Sequence, residues 1–223
     1  MNNIVQIRQF LAEKFPGVRL GSEPAPARDS SVWGTGMWAL DDSLRGGLPR
    51  AALTELCAPG DSWGSALILR QLIRQAASTH QWIALIDGVD SFDPGAFDNA
   101  TLDHLLWLRC KNAAEAVKAT DLVLRDGNLP IIVLDLALNP ARELRKIPSS
   151  TWYRFQRLVE EGAAAFLAIT PTAIASSAKQ RIFLRGEMPN DVFQLTETQL
   201  LQRILMEPAE SQSEASEPQA RRA

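Results

Sequence analysis

A chain of 223 residues with 46% hydrophobic and 22% charged side chains has the composition of a globular protein with core enough for one domain. Its 23 basic and 26 acidic side chains leave a net charge of -3, which excludes strong sequence-independent attachment to nucleic acid, although local basic patches remain. Two cysteines and two histidines are too few for a disulfide framework or a metal cluster, no apolar run reaches the roughly 20 residues that span a bilayer, and Met1-Asn2-Asn3-Ile4 lacks the basic-then-apolar order of a signal peptide, so a cytoplasmic location without membrane contact is expected.

Asn3 to Phe15 place Ile4, Ile7, Leu11 and Phe15 on one stripe of a helix that Pro16-Gly17 ends. Residues 18–31, with Pro24 and Pro26 among Ser and Ala, read as a linker, so 1–31 forms an N-terminal unit. Such a helix either packs on a partner or a second subunit, giving a homo-oligomer, or folds back onto its own domain. A core is expected over 32–206, and a disordered tail over 207–223, where Glu, Ser, Gln, Pro and Ala dominate.

Within the core, the glycines between Val32 and Arg50 mark tight turns around a short helix. Ala51 to Cys57 is a short apolar strand, and a helix with Leu69, Leu72, Ile73 and Ala76 on one face follows the loop Ala58-Pro59-Gly60-Asp61-Ser62-Trp63-Gly64-Ser65. Strand, glycine loop and helix is the order of a phosphate-binding loop, whose amides wrap the phosphates while a Lys reaches the β/γ oxygens and a hydroxyl holds Mg²⁺. Here the Lys is missing, Asp61 brings negative charge, and Trp63 puts an indole where small residues are needed. Pro59, Gly60, Asp61, Ser62, Trp63, Gly64 and Ser65 therefore read as a degenerate phosphate loop, with an ordinary strand-to-helix turn as the alternative. Trp63 either plugs the vacated pocket or stands exposed as a partner anchor. Ser65 keeps a hydroxyl suited to Mg²⁺ and equally suits the first turn of a helix.

Trp82–Asp87 is a continuous apolar run that fits a parallel strand buried on both faces, Ala164–Thr170 a further buried strand, Leu105–Cys110 another apolar strand, and Leu129–Asp135 the most strongly strand-like run. Asp87 and Asp135 each close such a run, as Mg²⁺ ligands through water or as caps of nearby amides. Asn112 is placed to cap a helix that stops at Asp126-Gly127, and Ser149 or Ser150 to cap one that turns Trp152, Phe155, Leu158 and Val159 inward. Arg181–Arg185 and Asp191–Leu195 read as an antiparallel hairpin or two edge strands about Gly186 to Asn190. Thr196 to Gln199 has capping-box spacing ahead of Leu200, Leu201, Ile204 and Leu205. Strand alternating with helix over 50–170 gives an α/β domain with a mostly parallel sheet. Cys57 and Cys110 read as buried thiols, and the isolated His80 and His104 support no nucleophilic triad.

The order of these pieces resembles the RecA-type ATPase core. Gly34-Thr35-Gly36 through Leu40-Asp41, then Gly46-Gly47-Leu48-Pro49-Arg50, resemble the lead-in to its phosphate loop. Leu85-Ile86-Asp87 with Phe92-Asp93-Pro94 resembles its second strand and the segment beyond, Leu102-Asp103-His104-Leu105-Leu106 the approach to the next, and Ile131 to Asp135 the Walker B strand. The resemblance covers residues 32–136 and implies a RecA-like three-layer α/β/α fold. In an ungapped alignment the Walker A Lys falls on Gly64 and the Thr on Ser65; the water-activating acid falls on Val89, with Asp90 one position out of register. Phosphoryl transfer rests on charge stabilisation and water positioning, so these departures imply no ATP hydrolysis, no catalytic residue, no metal and no resident cofactor. Arg142, Arg145 and Lys146 follow the Walker B-like strand where RecA carries a DNA-facing loop; they are a DNA or partner contact, or a solvated turn.

Among RecA-like chains with a degraded nucleotide site, this one resembles ImuA in its length, in Leu106-Trp107-Leu108-Arg109, and in Arg145-Lys146-Ile147-Pro148 leading to Trp152-Tyr153-Arg154-Phe155. That resemblance implies an accessory role in the bacterial SOS response and translesion mutagenesis. The implied partners are RecA and translesion polymerase components, ImuB-like or DnaE-type, with weak or no direct DNA binding. Two alternatives are an ATP-binding switch or weak ATPase using Ser65, Asp90 and Asp135, with Lys111 or Lys146 reaching the phosphates, and a cell-division inhibitor of the more distantly similar SulA type.

Overall fold

The computed structural model describes residues 31–59, 64–185 and 194–209. The helix expected over Asn3–Phe15, the linker and the last 14 residues lie outside them.

In chain order the elements are β1 (Val32–Trp33), α1 (Trp38–Ser43), β2 (Leu48–Pro49), β3 (Ala52–Cys57), α2 (Ser65–Ser78), β4 (Ile83–Asp87), α3 (Asn99–Leu102), β5 (Leu105–Arg109) and α4 (Ala113–Asp126). They continue with β6 (Ile131–Asp135), α5 (Ala141–Leu144), α6 (Ser149–Gly162), β7 (Ala165–Thr170), β8 (Gln180–Arg185), α7 (Glu197–Arg203) and β9 (Leu205–Pro208). A seven-stranded sheet runs β5-β4-β6-β7-β3-β8-β9, parallel throughout except for β9. β1 and β2 form a separate antiparallel pair.

Because side chains alternate along each strand, the apolar runs feed two cores at once. Leu56, Leu85, Val133 and Leu167 face α1 and α2, whose Leu40, Ile68, Leu72 and Ile73 are fully buried. Leu53, Ile86, Leu134 and Phe166 face the other side, where α4 and α6 bring Val123, Leu124, Trp152 and Phe155. The result is a three-layer α/β/α sandwich with a mostly parallel central sheet. No helix among the described residues is long and apolar enough to cross a membrane.

Local signals hold where the chain provides a partner. The Asn112 side chain accepts from the Glu115 amide, and Gly127 ends α4 in the left-handed region. Thr196 and Gln199 form both halves of a capping box. At α6 the position before the helix is Pro148, with no side-chain cap, and Ser149 is the first helical residue, so neither serine caps it. Of the hairpin or pair of edge strands expected from Arg181–Arg185 and Asp191–Leu195, residues 186–193 lie outside the described residues; Arg181–Arg185 is strand β8, which lies parallel to β3 and has Leu205–Pro208 as its antiparallel partner. Leu205 is therefore strand and not helix, and Glu207, assigned by composition to a tail, pairs with Phe183.

Candidate functional site

All six parallel strands end on one edge of the sheet, and the residues singled out from sequence gather along that edge. Its centre is the exit from β3. Ala58 is anchored there by its amide to the Thr170 carbonyl at 2.8 Å, and half-buried Pro59 follows. Gly60, Asp61, Ser62 and Trp63 lie outside the described residues, so the two roles weighed for Trp63 concern a segment that is not described. Gly64 precedes α2 at φ 84°, and half-buried Ser65 is the first residue of the helix.

The left-handed backbone at Gly64 bears on the Walker A comparison. A side chain there is strained by roughly 1–2 kcal/mol, so the alignment that sets a lysine at 64 places it where this backbone favours only glycine. No Lys or Arg occurs from Ala51 through Leu69. Lys111 follows β5, with β4, β6 and β7 between it and β3. Lys146 sits beside Leu144 and Ile147, which pack on the face of the sheet opposite α2. A triphosphate at that helix start would find no cation within the stretch from Ala51 through Leu69.

Asp87 is 1% exposed and already fully engaged. One oxygen accepts from the Ser91 amide at 3.1 Å and, at 3.4 Å, from the Val89 amide and the Ser91 hydroxyl. The other accepts from the Phe92 amide at 2.8 Å and the Trp107 indole at 3.3 Å. Of the two readings for this carboxylate, capping of nearby amides is the one its contacts carry. Asp90, adjacent to the expected water-activating position, is gripped through both oxygens by Arg109 at 2.6 and 2.8 Å. That hydrogen-bonded guanidinium holds the Asp90 carboxyl below the ordinary carboxylate value. Arg109 itself stacks 4.8 Å over Trp107, so this group belongs to the β5 end of the sheet.

Asp135, directly across from Asp87 in the β4–β6 register, accepts from the Ala137 amide at 3.0 Å. Burial pushes its carboxyl up to about 6, against the Ala137 amide, and the Asp87 charge adds to the rise. A raised folded-state value means the native state holds the proton more tightly than the unfolded chain. The contribution of this carboxyl to stability is therefore fully present below about pH 4 and is lost as pH rises through about 6. Asp135→Asn is expected to stabilise the protein by about 1–3 kcal/mol at pH 7.5 and by nothing below pH 4, as read by urea denaturation at the two values.

Gly88 joins the two strand ends. The Asn139 side chain donates to the Gly88 carbonyl at 3.0 Å, and a Cβ at 88 would run into Asn139 and the Asp135 carbonyl. Arg142, Arg145 and Lys146 follow on α5 and the turn after it, all exposed and all on the α4–α6 side of the sheet.

Glu55 is the residue that sequence reading passed over. It sits in the middle of the sheet on β3 with no exposure, and one oxygen accepts from the Thr170 hydroxyl (3.0 Å), the Ile174 amide (2.7 Å) and the Ala175 amide (2.8 Å). Its other oxygen pairs with Arg181 Nε at 2.6 Å, and Arg181 also donates to the Ala175 carbonyl at 2.9 Å. The signal available was a lone charge inside Ala-Leu-Thr-Glu-Leu-Cys, since a buried charge requires partners. Two residues on, the Cys57 thiol is pushed up to about 11 by burial and then by the Glu55 charge. Burial likewise raises the Cys110 thiol. Neither thiol is expected to react with Ellman's reagent at pH 8 until the protein unfolds; release of thionitrobenzoate from the native chain would contradict this.

No family model matches the chain. Curated relatives are bacterial RecA proteins. The chain is 33% identical over 132 residues to protein RecA of Methylococcus capsulatus, covering 57% of the chain and 38% of that protein. It is 30% identical over 132 residues both to protein RecA of Thioalkalivibrio sulfidiphilus, with 38% of that protein covered, and to that of Deinococcus radiodurans, with 36% covered. The chain thus spans less than two fifths of the length of these relatives. Distant similarity to RecA and a mostly parallel α/β/α sheet agree on a RecA-like core.

Proposed function

We propose that this RecA-like domain is a catalytically inactive accessory protein of the bacterial DNA damage response, acting in the cytoplasm by protein-protein interaction. Its partners are RecA, translesion polymerase components of the ImuB-like or DnaE type, or both. The observation that carries the reading is the way carboxylates at the sheet edge are used: Asp87 is taken up by loop donors and Asp90 by Arg109, while the start of α2 has no cation. A site so arranged supports scaffolding or competition, in which no bond is made or broken.

The test is a pair of measurements on the purified full chain. Pull-downs with RecA filaments and with translesion polymerase subunits are expected to retain at least one of them, and retention of neither overturns the proposal. Calorimetry with ATP and Mg²⁺ is expected to give no binding heat. Micromolar binding would favour the ATP-gated switch instead, a reading supported by Ser65 at the first turn of α2 and by Asp135, whose carboxylate accepts from the Ala137 amide alone among the described residues.

A further inference from the structure

A groove of about 520 Å³ lies between the first turns of α4 and the α5–α6 connection. Its lining is mostly apolar surface, with Ala114 and Val117 from α4 and Ile147 and Pro148 ahead of α6, and Asn112, Lys118, Glu143 and Lys146 complete it. One turn along α4 from Lys118 comes Leu122, 69% exposed, and α6 brings Tyr153, 61% exposed. The Arg154–Asp121 pair at 2.7 Å ties the two helices together beside these two side chains.

Basic side chains outnumber acidic ones around the groove. Lys111, Arg142 and Arg145 join the two groove lysines as exposed cations, and none of these five takes part in an ion pair among the described residues. Two acids stand among them, Glu143 in the groove wall and Glu115 on α4. Glu143 accepts from the Ala113 amide at 3.0 Å and Glu115 from the Lys111 amide at 2.9 Å, so both are held at the start of α4, and the five cations outnumber them.

We infer that this face docks an acidic amphipathic segment of a partner protein, with apolar side chains in the groove and carboxylates at Lys118 and Lys146. The inference rests on the interaction-module reading above. A mostly apolar lining favours a peptide, because apolar anchors inserted at helical spacing are what such grooves hold. Single-stranded nucleic acid would ask for aromatic stacking surfaces, and no ring lines the groove. A small ligand would leave Leu122 and Tyr153 bare.

The test pans a phage-displayed library of random 16-residue peptides on the full chain, with subtraction against Lys118→Glu/Lys146→Glu. Enriched sequences are made with a fluorescein label and titrated by anisotropy beside labelled oligothymidylate of 20 nucleotides. The expected result is peptides with several Asp or Glu among Leu, Ile, Phe or Trp. They should bind at least tenfold more weakly to the double variant, to Ala114→Trp, which fills the groove without touching charge, and in 300 mM salt than in 50 mM. Melting curves like that of the parent show that both variants fold. No enrichment, enriched peptides without acidic residues, or unchanged affinity in both variants overturns the inference. Oligothymidylate bound in place of peptides and released by the double variant assigns the face to single-stranded DNA instead. If RecA or a polymerase subunit binds the parent and the double variant equally, the proposed function stands and this docking site falls; if acidic peptides bind but neither protein does, the reverse holds.

Discussion

Glu55→Ala is expected to lower stability by about 3–5 kcal/mol, the usual penalty for breaking a buried charge pair from one side. The loss has two parts. Arg181 is left without its counter-charge, and the amides of Ile174 and Ala175 lose their acceptor. The parts separate in a double replacement, Glu55→Leu with Arg181→Met. Removing both charges restores the first part, while the two amides still lack an acceptor at about 1–3 kcal/mol each. Urea denaturation of the parent, the single and the double variants reads these differences. Full recovery in the double variant would mean that the ion pair alone matters and that the loop at 174–175 finds other partners.

Asp87→Ala is expected to cost about 2–4 kcal/mol, because its carboxylate is a charged acceptor for the Ser91 and Phe92 amides and the Trp107 indole, with further donors at 3.4 Å. Asp87→Asn keeps one acceptor oxygen but turns an amide group toward donors, so it should fall between parent and alanine. The change should also appear in tryptophan fluorescence, since Trp107 loses the acceptor that anchors its indole. A neutral Asp87→Ala would mean that the carboxylate does not organise this loop, and its reading as a cation ligand would return.

How much of this was legible depended on how local each signal was. β4, β6 and β7 announce themselves as apolar runs broken only at their last residues, Asp87, Asp135 and Thr170, because both faces of each are covered. The Asn112 and Thr196 caps are visible because cap and receiver lie three residues apart. β8 shows the opposite case: its neighbour β3 is more than a hundred residues away, beyond the reach of any local pattern. β9 is short and exposed on most positions, so it carries no alternation, and Pro208 reads as the start of a tail. At the site, Asp87 and Asp135 stand out as the ends of apolar runs, but what saturates Asp87 comes from a loop and from another strand. Arg142, Arg145 and Lys146 form a visible cluster in the chain; Lys118 joins their surroundings only through the way α4 packs.

The placement of β3 has a consequence for how the chain is made. Thr170 and Arg181, which settle the Glu55 of this strand, are translated 115 and 126 residues after it. At bacterial or eukaryotic elongation speeds the delay is on the order of ten seconds. Through that interval an apolar strand with a charge at its middle has neither neighbour, and pairing it requires closing a loop of most of the domain. The newborn polypeptide is therefore expected to depend on holding chaperones until β7 and β8 leave the ribosome, and a nascent chain stalled before them should be cut by protease at sites the finished protein conceals.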